Sequence, residues 1–128
     1  MGHLGLLPQT AEAMRVQGKK KSDAELIKKD ANDLDSLGVY AIVLECIPLK
    51  LAQDITNSIK SLSIGIGAGV YCDGQVLVLN DMLGMDSSFV PKHVKVYVNL
   101  NEIISKAVHE YIEEVKSGKF PDDRFSFH

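Results

Sequence analysis

The sequence predicts an α/β fold in which parallel strands form one sheet and amphipathic helices cover it. Three observations lead to this prediction. Residues 39–47 are almost continuously apolar, residues 63–69 form a second short apolar run, and a helical apolar stripe lies between the two runs. A strand, a helix and a second strand within about thirty residues form a βαβ unit, whose crossover makes the strands parallel neighbours.

Length and composition place the chain in the ordinary globular class. It has 128 residues, 45% of them hydrophobic and 24% charged, which suffices for one domain with a buried core. The net charge of −3 gives no positive field, so we expect no nucleic-acid and no membrane partner. No membrane-spanning or signal segment is apparent, which favours a cytoplasmic setting. Cys46 and Cys72 lack metal-site or disulfide-scaffold spacing and are predicted to be thiols.

Residues 1–21 are predicted to form a loop. They contain Gly2, Gly5, Pro8 and Gly18 without sustained periodicity, and glycine and proline often interrupt helices and strands. The segment ends in three consecutive lysines at residues 19–21. A short basic run beside a helix start is usually a solvated face, so we assign no phosphate or nucleic-acid site to it.

A first helix is predicted to begin at Ser22. Ser22 and Glu25 have the spacing of a capping box, in which each side chain binds a backbone N–H that the first turn leaves unpaired. Gly38 lies where a residue in the left-handed conformation would end the helix. The apolar face of this helix consists of Ala24, Ile27, Ala31 and Leu34.

Residues 39–47 are predicted to form a strand that is covered on both faces, because their apolar character is nearly continuous. Pro48 suits the first turn of a following helix, and residues 63–69 are predicted to be the next strand. Residues 75–79 fit either a further strand or a buried helical turn. The helix after Pro48 has an apolar stripe made of Ala52, Ile55, Ile59 and Leu62.

The last predicted helix begins with a capping pair, Asn99 and Glu102, and stops before Gly118 and Pro121. Its apolar stripe is broad, and the sequence leaves open whether the stripe packs on this chain's own fold or on a neighbouring subunit. The stripe consists of Ile104, Ala107, Val108, Tyr111, Ile112 and Val115.

Glu45 is the strongest candidate for a catalytic residue. It is an ionisable carboxylate at the end of a buried apolar strand, and the carboxyl ends of parallel strands face the ligand crevice in α/β folds. Removal from water makes a carboxylate a better proton acceptor, which a general base near neutral pH requires. The alternative is a structural carboxylate that caps the following helix or pairs with an arginine.

His3 is the second candidate. It lies in the run Gly-His-Leu-Gly-Leu, where small neighbours let a ligand approach and an imidazole can donate a hydrogen bond to a carboxylate or carbonyl. A loop or core hydrogen-bonding role is the alternative. Gly65, Gly67 and Gly69 do not have the dinucleotide-binding spacing, so we expect them to allow tight packing and close approach of a substrate to the backbone.

The remaining histidines and three of the aspartates are further candidates for metal ligands. They are His93, His109, His128, Asp73, Asp81 and Asp86, and none has the spacing of a known metal motif. The sequence therefore predicts no metal-ligating residue in this chain.

Several blocks, in order along the chain, resemble ketopantoate hydroxymethyltransferase. They are Gly-His-Leu-Gly-Leu with Pro-Gln at residues 2–9, Val-Gln-Gly at 16–18, Val-Leu-Glu-Cys-Ile-Pro at 43–48, Ile-Gly-Ile-Gly-Ala-Gly at 64–69, Asp-Gly-Gln-Val-Leu-Val at 73–78, and the end of the chain from Phe-Pro at 120–121 to Ser-Phe-His at 126–128. They cover essentially the whole chain. The resemblance implies that residues 1–128 form the C-terminal half of a single (β/α)₈ TIM-barrel domain.

The resemblance also implies an enzyme of pantothenate biosynthesis, which makes the precursor of coenzyme A. The family transfers a hydroxymethyl group from 5,10-methylenetetrahydrofolate to 3-methyl-2-oxobutanoate, giving 2-dehydropantoate and tetrahydrofolate. A magnesium ion holds the keto acid and, as a Lewis acid, stabilises its enolate. Glu45 matches the family's proposed catalytic base, and His3 matches a histidine that helps to bind substrate or product.

By the same resemblance, the family's metal-binding aspartates lie in the half that would precede Met1. We therefore expect the chain to be inactive alone, to need an N-terminal half as its partner, and to form a homo-oligomer like the decamer of the family. Removal of the preceding strands predicts an exposed sheet edge at residues 39–45. The alternatives are a non-catalytic assembly or binding module, and a barrel enzyme that binds phosphorylated substrates through the glycines at residues 65–69.

Two departures from the family pattern stand out. Between Thr10 and Val16 the chain has about three residues fewer than the family, whose Gly-Gly pair is missing. At Asn80 the family commonly has a histidine, in front of the aspartate that Asp81 matches. The resemblance therefore transfers no role to Asn80 or to the shortened loop.

Overall fold

The computed structural model of the chain describes residues 1–9, 15–86 and 88–127. It confirms the α/β class. Four strands, Gly2–Gly5 (β1), Ala41–Glu45 (β2), Leu62–Ile66 (β3) and Gly74–Gln75 (β4), form one parallel sheet in the order β1-β2-β3-β4. Helices Lys21–Ser36 (α1) and Leu49–Thr56 (α2) connect the first three strands. These elements belong to one compact unit, Met1–Leu77, and Val78–His128 forms a second.

The core of the first unit lies between the sheet and the two helices. Ile42 and Leu44 of β2 are fully buried against Ala31 of α1 and Ile55 of α2. Because side chains alternate along a strand, Ala41, Val43 and Glu45 lie on the opposite face of β2. Burial of each large aliphatic side chain contributes roughly 1.5–3 kcal/mol, so this helix-covered face holds the unit together.

The register brings the carboxyl ends of the first three strands level. Gly5 pairs with Glu45, and Glu45 pairs with Ile66, each at the last residue of its strand. The connections that follow these strands therefore leave the sheet at one edge. Ligands of open α/β sheets bind at such a carboxyl edge.

Two predictions about the sheet were wrong. Residues 2–5, predicted as loop, form β1, because pairing with β2 supplies the backbone hydrogen bonds that a glycine-rich segment cannot obtain alone. As a consequence, residues 41–45 are not an exposed edge, since β1 and β3 flank them on both sides. The outer strands of the described sheet are β1 and β4.

The predicted ends of α1 are only partly confirmed. No capping box forms: the helix begins at Lys21, its N-cap Lys20 makes no side-chain cap, and the Ser22 hydroxyl donates to Asp23 Oδ1 at 3.0 Å. Gly38 does adopt the left-handed conformation beyond the helix end, with φ of 80°. The predicted apolar face packs on the core: Ala24, Ile27, Ala31 and Leu34.

The helix after Pro48 has the predicted buried stripe but is shorter than predicted. Pro48 is its N-cap, and Ala52 and Ile55 are fully buried. Leu62 was wrongly placed on this stripe, because it is the first residue of β3 and its side chain is exposed. Residues 75–79, for which the sequence left strand and helical turn open, contain parts of both. The strand is Gly74–Gln75, and a helical turn starts at Leu79.

The second unit contains the short helix Leu79–Met82 (α3), the long helix Leu100–Ser117 (α4) and a 3₁₀ turn, Asp123–Phe125. The predicted cap of α4 is confirmed, since Asn99 Oδ1 accepts from Glu102 N at 3.3 Å. Gly118 ends the helix with φ of 69°. Most of the predicted apolar stripe is exposed, which leaves its partner undecided: Ile104, Val108, Tyr111, Ile112 and Val115. Over the described residues, no helix is long and apolar enough to cross a membrane.

Candidate functional site

The structure brings the two candidate residues, His3 and Glu45, into contact. His3 Nε2 lies 3.0 Å from Glu45 Oε2. The parallel register explains the contact: His3 pairs with Val43, two residues before Glu45, so both side chains project from the same face of adjacent strands. This face is opposite to the one that the helices cover, and the pair lies at the carboxyl edge. His3 is therefore a strand residue and not a loop residue.

The pair is shielded unequally from solvent. The side chain of Glu45 retains 10% of its exposure, and that of His3 retains 34%. An ionised carboxylate only accepts hydrogen bonds, so Nε2 of His3 is the donor when Glu45 is ionised. In a neutral imidazole with its proton on Nε2, Nδ1 is an acceptor. A shielded carboxylate beside a partly accessible imidazole is an arrangement suited to proton transfer.

Backbone contacts hold the residue after Glu45 in a strained conformation. Cys46 has φ of 51°, a conformation that costs a non-glycine residue on the order of 1–3 kcal/mol. Its N–H donates to Ile66 O at 2.9 Å, and its carbonyl accepts from Gln17 N at 2.8 Å. Neighbouring segments on both sides thus fix the turn that ends β2 at Glu45.

Gly5 allows the close approach of β1 at this point. Its φ is 91°, and a Cβ atom there would overlap the carbonyl oxygen of Glu45 and lie 2.8 Å from Ile47 Cγ2. The next residue, Leu6, is buried and donates its N–H to Glu45 O at 2.8 Å. Only glycine fits this position without moving the backbone of Glu45.

The cysteines are thiols, as predicted, and form no disulfide. Burial raises the pKa of the Cys46 thiol, and the negative charge of Glu45 adds to the rise. Burial likewise raises the pKa of Cys72, with a smaller opposing effect from hydrogen bonds to Thr56 and Ser63. Neither thiol is in the environment of an activated nucleophile, which requires a lowered pKa.

A second polar cluster, behind β3, was not predicted. Ser63 is fully buried, and its N–H and hydroxyl both donate to Asp73 Oδ2 at 2.8 Å. The hydroxyl also accepts from Asp73 N and from Thr56 Oγ1. The backbone N–H of Ser63, followed by its hydroxyl, lowers the pKa of Asp73. The cluster attaches Asp73 to β3. The sequence did not predict it, because Ser63 and Asp73 are ten residues apart and only the folded chain brings them together.

Gly65 and Gly69, around the end of β3, allow tight packing, as predicted, whereas the close approach of a substrate stays a prediction. A Cβ on Gly65 would lie 3.0 Å from Cys72 Sγ, and one on Gly69 would lie 2.8 Å from the Leu49 side chain. Gly69 also has φ of 85°, and its carbonyl accepts from Gln75 Nε2 at 2.8 Å. Their contacts with protein atoms give no support to the phosphate-binding alternative.

Several other sequence features are exposed in the described structure. His109 lies exposed on α4 with Nδ1 2.8 Å from Ser105 O, and Asn80 is exposed in α3. The three lysines at residues 19–21 are exposed. Most of the shortened loop, residues 10–14, and His128 lie outside the described residues.

The described residues do not fit a metal site. Within residues 1–9, 15–86 and 88–127, no group of three or more His, Cys, Asp or Glu side chains is placed to hold an ion. His3 and Glu45 form only a pair, whereas magnesium prefers an octahedron of oxygen ligands.

The parallel sheet, with a carboxylate–imidazole pair at its carboxyl edge, defines the chain as part of an α/β protein. Residues 1–123 match the family model described as ketopantoate hydroxymethyltransferase. The chain belongs to this family, whose fold is a TIM barrel, and its described sheet and helices are consistent with part of such a barrel.

Curated relatives match the whole chain. It is 53% identical to the 3-methyl-2-oxobutanoate hydroxymethyltransferase of Anaeromyxobacter sp. (strain Fw109-5), over 100% of this chain and 43% of the relative. It is 53% identical to the enzyme of that name from Clostridium kluyveri, over 99% and 46%, and 52% identical to that from Syntrophus aciditrophicus (strain SB), over 99% and 48%. The chain thus spans about half the length of the curated relatives that it matches.

Proposed function

We propose that this chain supplies the general base of the transfer of a hydroxymethyl group to 3-methyl-2-oxobutanoate. The observation that carries the proposal is the contact between His3 Nε2 and Glu45 Oε2 at the carboxyl edge of a parallel sheet, in a member of this family. Relatives that are about half identical to the chain are named 3-methyl-2-oxobutanoate hydroxymethyltransferase. The proposed product is 2-dehydropantoate, an intermediate on the way to pantothenate.

In this proposal Glu45 removes the proton from the keto-acid carbon next to the carbonyl group. The C–H bond breaks, its electron pair forms the enolate, and the proton moves to a carboxylate oxygen of Glu45. The enolate carbon then forms a bond to the one-carbon unit of methylenetetrahydrofolate. Both C–N bonds that held this carbon to the folate break, and one water molecule supplies the hydroxyl oxygen. Of the two protons of water and the one taken up by Glu45, one stays on the hydroxyl group and two go to the folate nitrogens, which releases tetrahydrofolate and restores the Glu45 carboxylate.

His3 is proposed to help bind substrate or product. With Nε2 directed at Glu45, Nδ1 of a neutral ring can accept a hydrogen bond from a hydroxyl group. The hydroxymethyl group of the product is such a donor. The partial exposure of His3 supports this role, because a bound molecule has to reach the ring.

The cofactor and partner assignments come from the family resemblance. We propose methylenetetrahydrofolate as co-substrate and Mg²⁺ as the cofactor that would polarise the keto acid, with metal ligands from the part of the relatives that this chain does not match. We also propose that residues 1–128 act as the C-terminal half of one barrel domain, with an N-terminal half as partner. The cytoplasmic setting and the homo-oligomer, a decamer in the family, stay predictions.

The test is formation of 2-dehydropantoate from the keto acid, methylenetetrahydrofolate and Mg²⁺. We would assay the chain alone and then mixed with the N-terminal half of a curated relative. We expect activity only in the mixture. There, Glu45→Gln should lower turnover by roughly 10²- to 10⁴-fold, because the amide cannot accept the proton. The matched control, Glu25→Gln on the exposed face of α1, should change turnover little.

Two results would contradict the proposal. Activity of the chain alone would mean that the metal and substrate sites are complete without the N-terminal half. Association of the two halves without activity would favour the non-catalytic assembly module. Circular dichroism of each mixture distinguishes a lost base from a lost fold.

A further inference from the structure

Among the described residues, only one oxygen of the Glu45 carboxylate has a hydrogen-bond partner. Oε2 lies 3.0 Å from His3 Nε2, whereas Oε1 receives no hydrogen bond from another described residue. Oε1 is not fully buried, because no fully buried side-chain oxygen or nitrogen among the described residues lacks a hydrogen-bond partner. The two oxygens therefore differ: Oε2 is held by His3, and Oε1 is held by no described residue.

This difference matters because the last torsion of a glutamate side chain is soft. Rotation about it is broad and roughly two-fold, so an unheld carboxylate presents either oxygen in many directions. A hydrogen bond to one oxygen removes that freedom. The backbone of Glu45 is already fixed by Leu6 N on its carbonyl and by the Ile66 contact of the next residue. The hydrogen bond from His3 completes the constraint at the tip of the side chain.

We propose that His3 is a positioning residue that acts through Glu45, holding Oε2 so that Oε1 is the oxygen that takes the substrate proton. The inference rests on the proposed function and deepens it: positioning is added to the contact of His3 Nδ1 with the hydroxymethyl group of the product, a group that the keto acid itself lacks. A positioning role acts on the rate of proton removal at saturating substrate. A binding role acts on the substrate concentration needed for saturation.

The two roles can be separated on proton removal by itself. The assembled barrel, with Mg²⁺ and 3-methyl-2-oxobutanoate in D₂O and without folate, should exchange the substrate C–H for deuterium, followed by proton NMR. Exchange requires the base but neither one-carbon transfer nor product release. The rate is measured over a range of keto-acid concentrations for the unmodified chain and for variants of His3.

We expect His3→Leu to lower the saturating exchange rate by roughly 10- to 100-fold, because a misplaced base loses its alignment, with the half-saturating concentration changed by less than about threefold. His3→Gln places an amide N–H near the position of Nε2 and should recover most of the rate. The control is His109→Leu, the same substitution at an exposed histidine of α4, which should leave exchange unchanged.

Each other outcome overturns the inference. An unchanged saturating rate with a raised half-saturating concentration would make His3 a substrate-binding residue only. Equal loss in His3→Gln and His3→Leu would mean that the N–H donor is not what matters. If His3→Leu fails to assemble, His3→Asn, which is too short to reach Oε2, takes its place beside His3→Gln. No exchange in the unmodified barrel would instead contradict the proposed base, Glu45.

Discussion

At the scale of single residues, two positions with unusual backbone conformations flank the backbone of Glu45 in the candidate site. Gly5 and Cys46 both have positive φ, 91° and 51°, on either side of the Glu45 backbone. At Gly5 the conformation is free of steric cost, whereas at Cys46 it is strained and held by hydrogen bonds from two segments. Strained backbone conformations are common at functional sites, and the strain at Cys46 lies directly beside the shielded carboxylate of Glu45.

We predict that Gly5→Ala lowers turnover even under conditions where the variant is fully folded, so that lost stability does not account for the lower turnover. Its Cβ would overlap Glu45 O, so β1 has to move away from the end of β2. Gly38→Ala is the matched control, because Gly38 has a similar φ of 80° but open space around it. The control should lose about 1–2 kcal/mol from the backbone conformation alone.

Urea unfolding and turnover of the assembled barrel check this prediction. Gly5→Ala should lose more stability than Gly38→Ala and should also lower turnover at temperatures where both variants are folded. Equal effects of the two substitutions on turnover would show that the approach of β1 to Glu45 is not critical.

At the scale of elements, the ionised carboxylate of Asp73 attaches the connection from β3 to β4 to the start of β3. The Asp73 carboxylate accepts two hydrogen bonds from Ser63, the fully buried second residue of β3. These bonds favour the ionised form and lower the pKa of Asp73. Residues 67–72, which connect β3 to Asp73, follow the carboxyl end of β3.

We predict that Asp73 makes the free energy of unfolding depend on pH in the acidic range. Because its folded pKa is lowered, the unfolded state binds more protons as the pH falls below the ordinary carboxyl value of about 3.9. The stabilisation from Asp73 is fully present above that value and is lost as the pH falls through the folded pKa. Asp73→Asn should therefore destabilise the protein near neutral pH, and the difference from the unmodified protein should vanish in acid.

Urea midpoints of the assembled barrel across this pH range test the prediction. Glu25→Gln serves as control, because Glu25 is exposed and has no hydrogen-bond partner among the described residues. Its effect should stay small at every pH. A difference between Asp73→Asn and the unmodified protein that does not change with pH would rule out the ion as its cause.

At the scale of the whole molecule, the sheet has two kinds of strand. β2 is bonded on both sides and covered by helices on one face, whereas β1 and β4 are the outer strands of the described sheet. An outer parallel strand leaves alternate N–H and C=O groups for pairing with another strand. In the proposed complete barrel, strands of the N-terminal half would occupy these positions.

Hydrogen exchange should distinguish the strands. We predict that amides of β2 are among the most protected both in the chain alone and in the mixture with an N-terminal half. The outward amides of β1 should gain protection only in the mixture, because only there do they find acceptors. The control is α4, whose amides bond within the helix and should change less than those of β1. Full protection of β1 in the chain alone would contradict the half-barrel proposal.

The sequence by itself determined the fold class and the family. Continuous apolar runs predicted β2 and β3, helical stripes predicted the buried faces of α1 and α2, and Asn99 predicted the cap of α4. These signals are local, because periodicity and capping depend on residues within one or two turns of each other. Ser22 shows the limit of such signals, since its spacing is right but the helix starts one residue earlier.

The tertiary structure decided how the candidate residues meet. The sequence singled out His3 and Glu45 separately, forty-two positions apart, but their hydrogen bond depends on β1, which has no local strand signal. The bonds of Ser63 and Asp73 depend in the same way on a return of the chain to β3. Such contacts are created by strand register and by the packing of helices on the sheet, and no short stretch of sequence contains them.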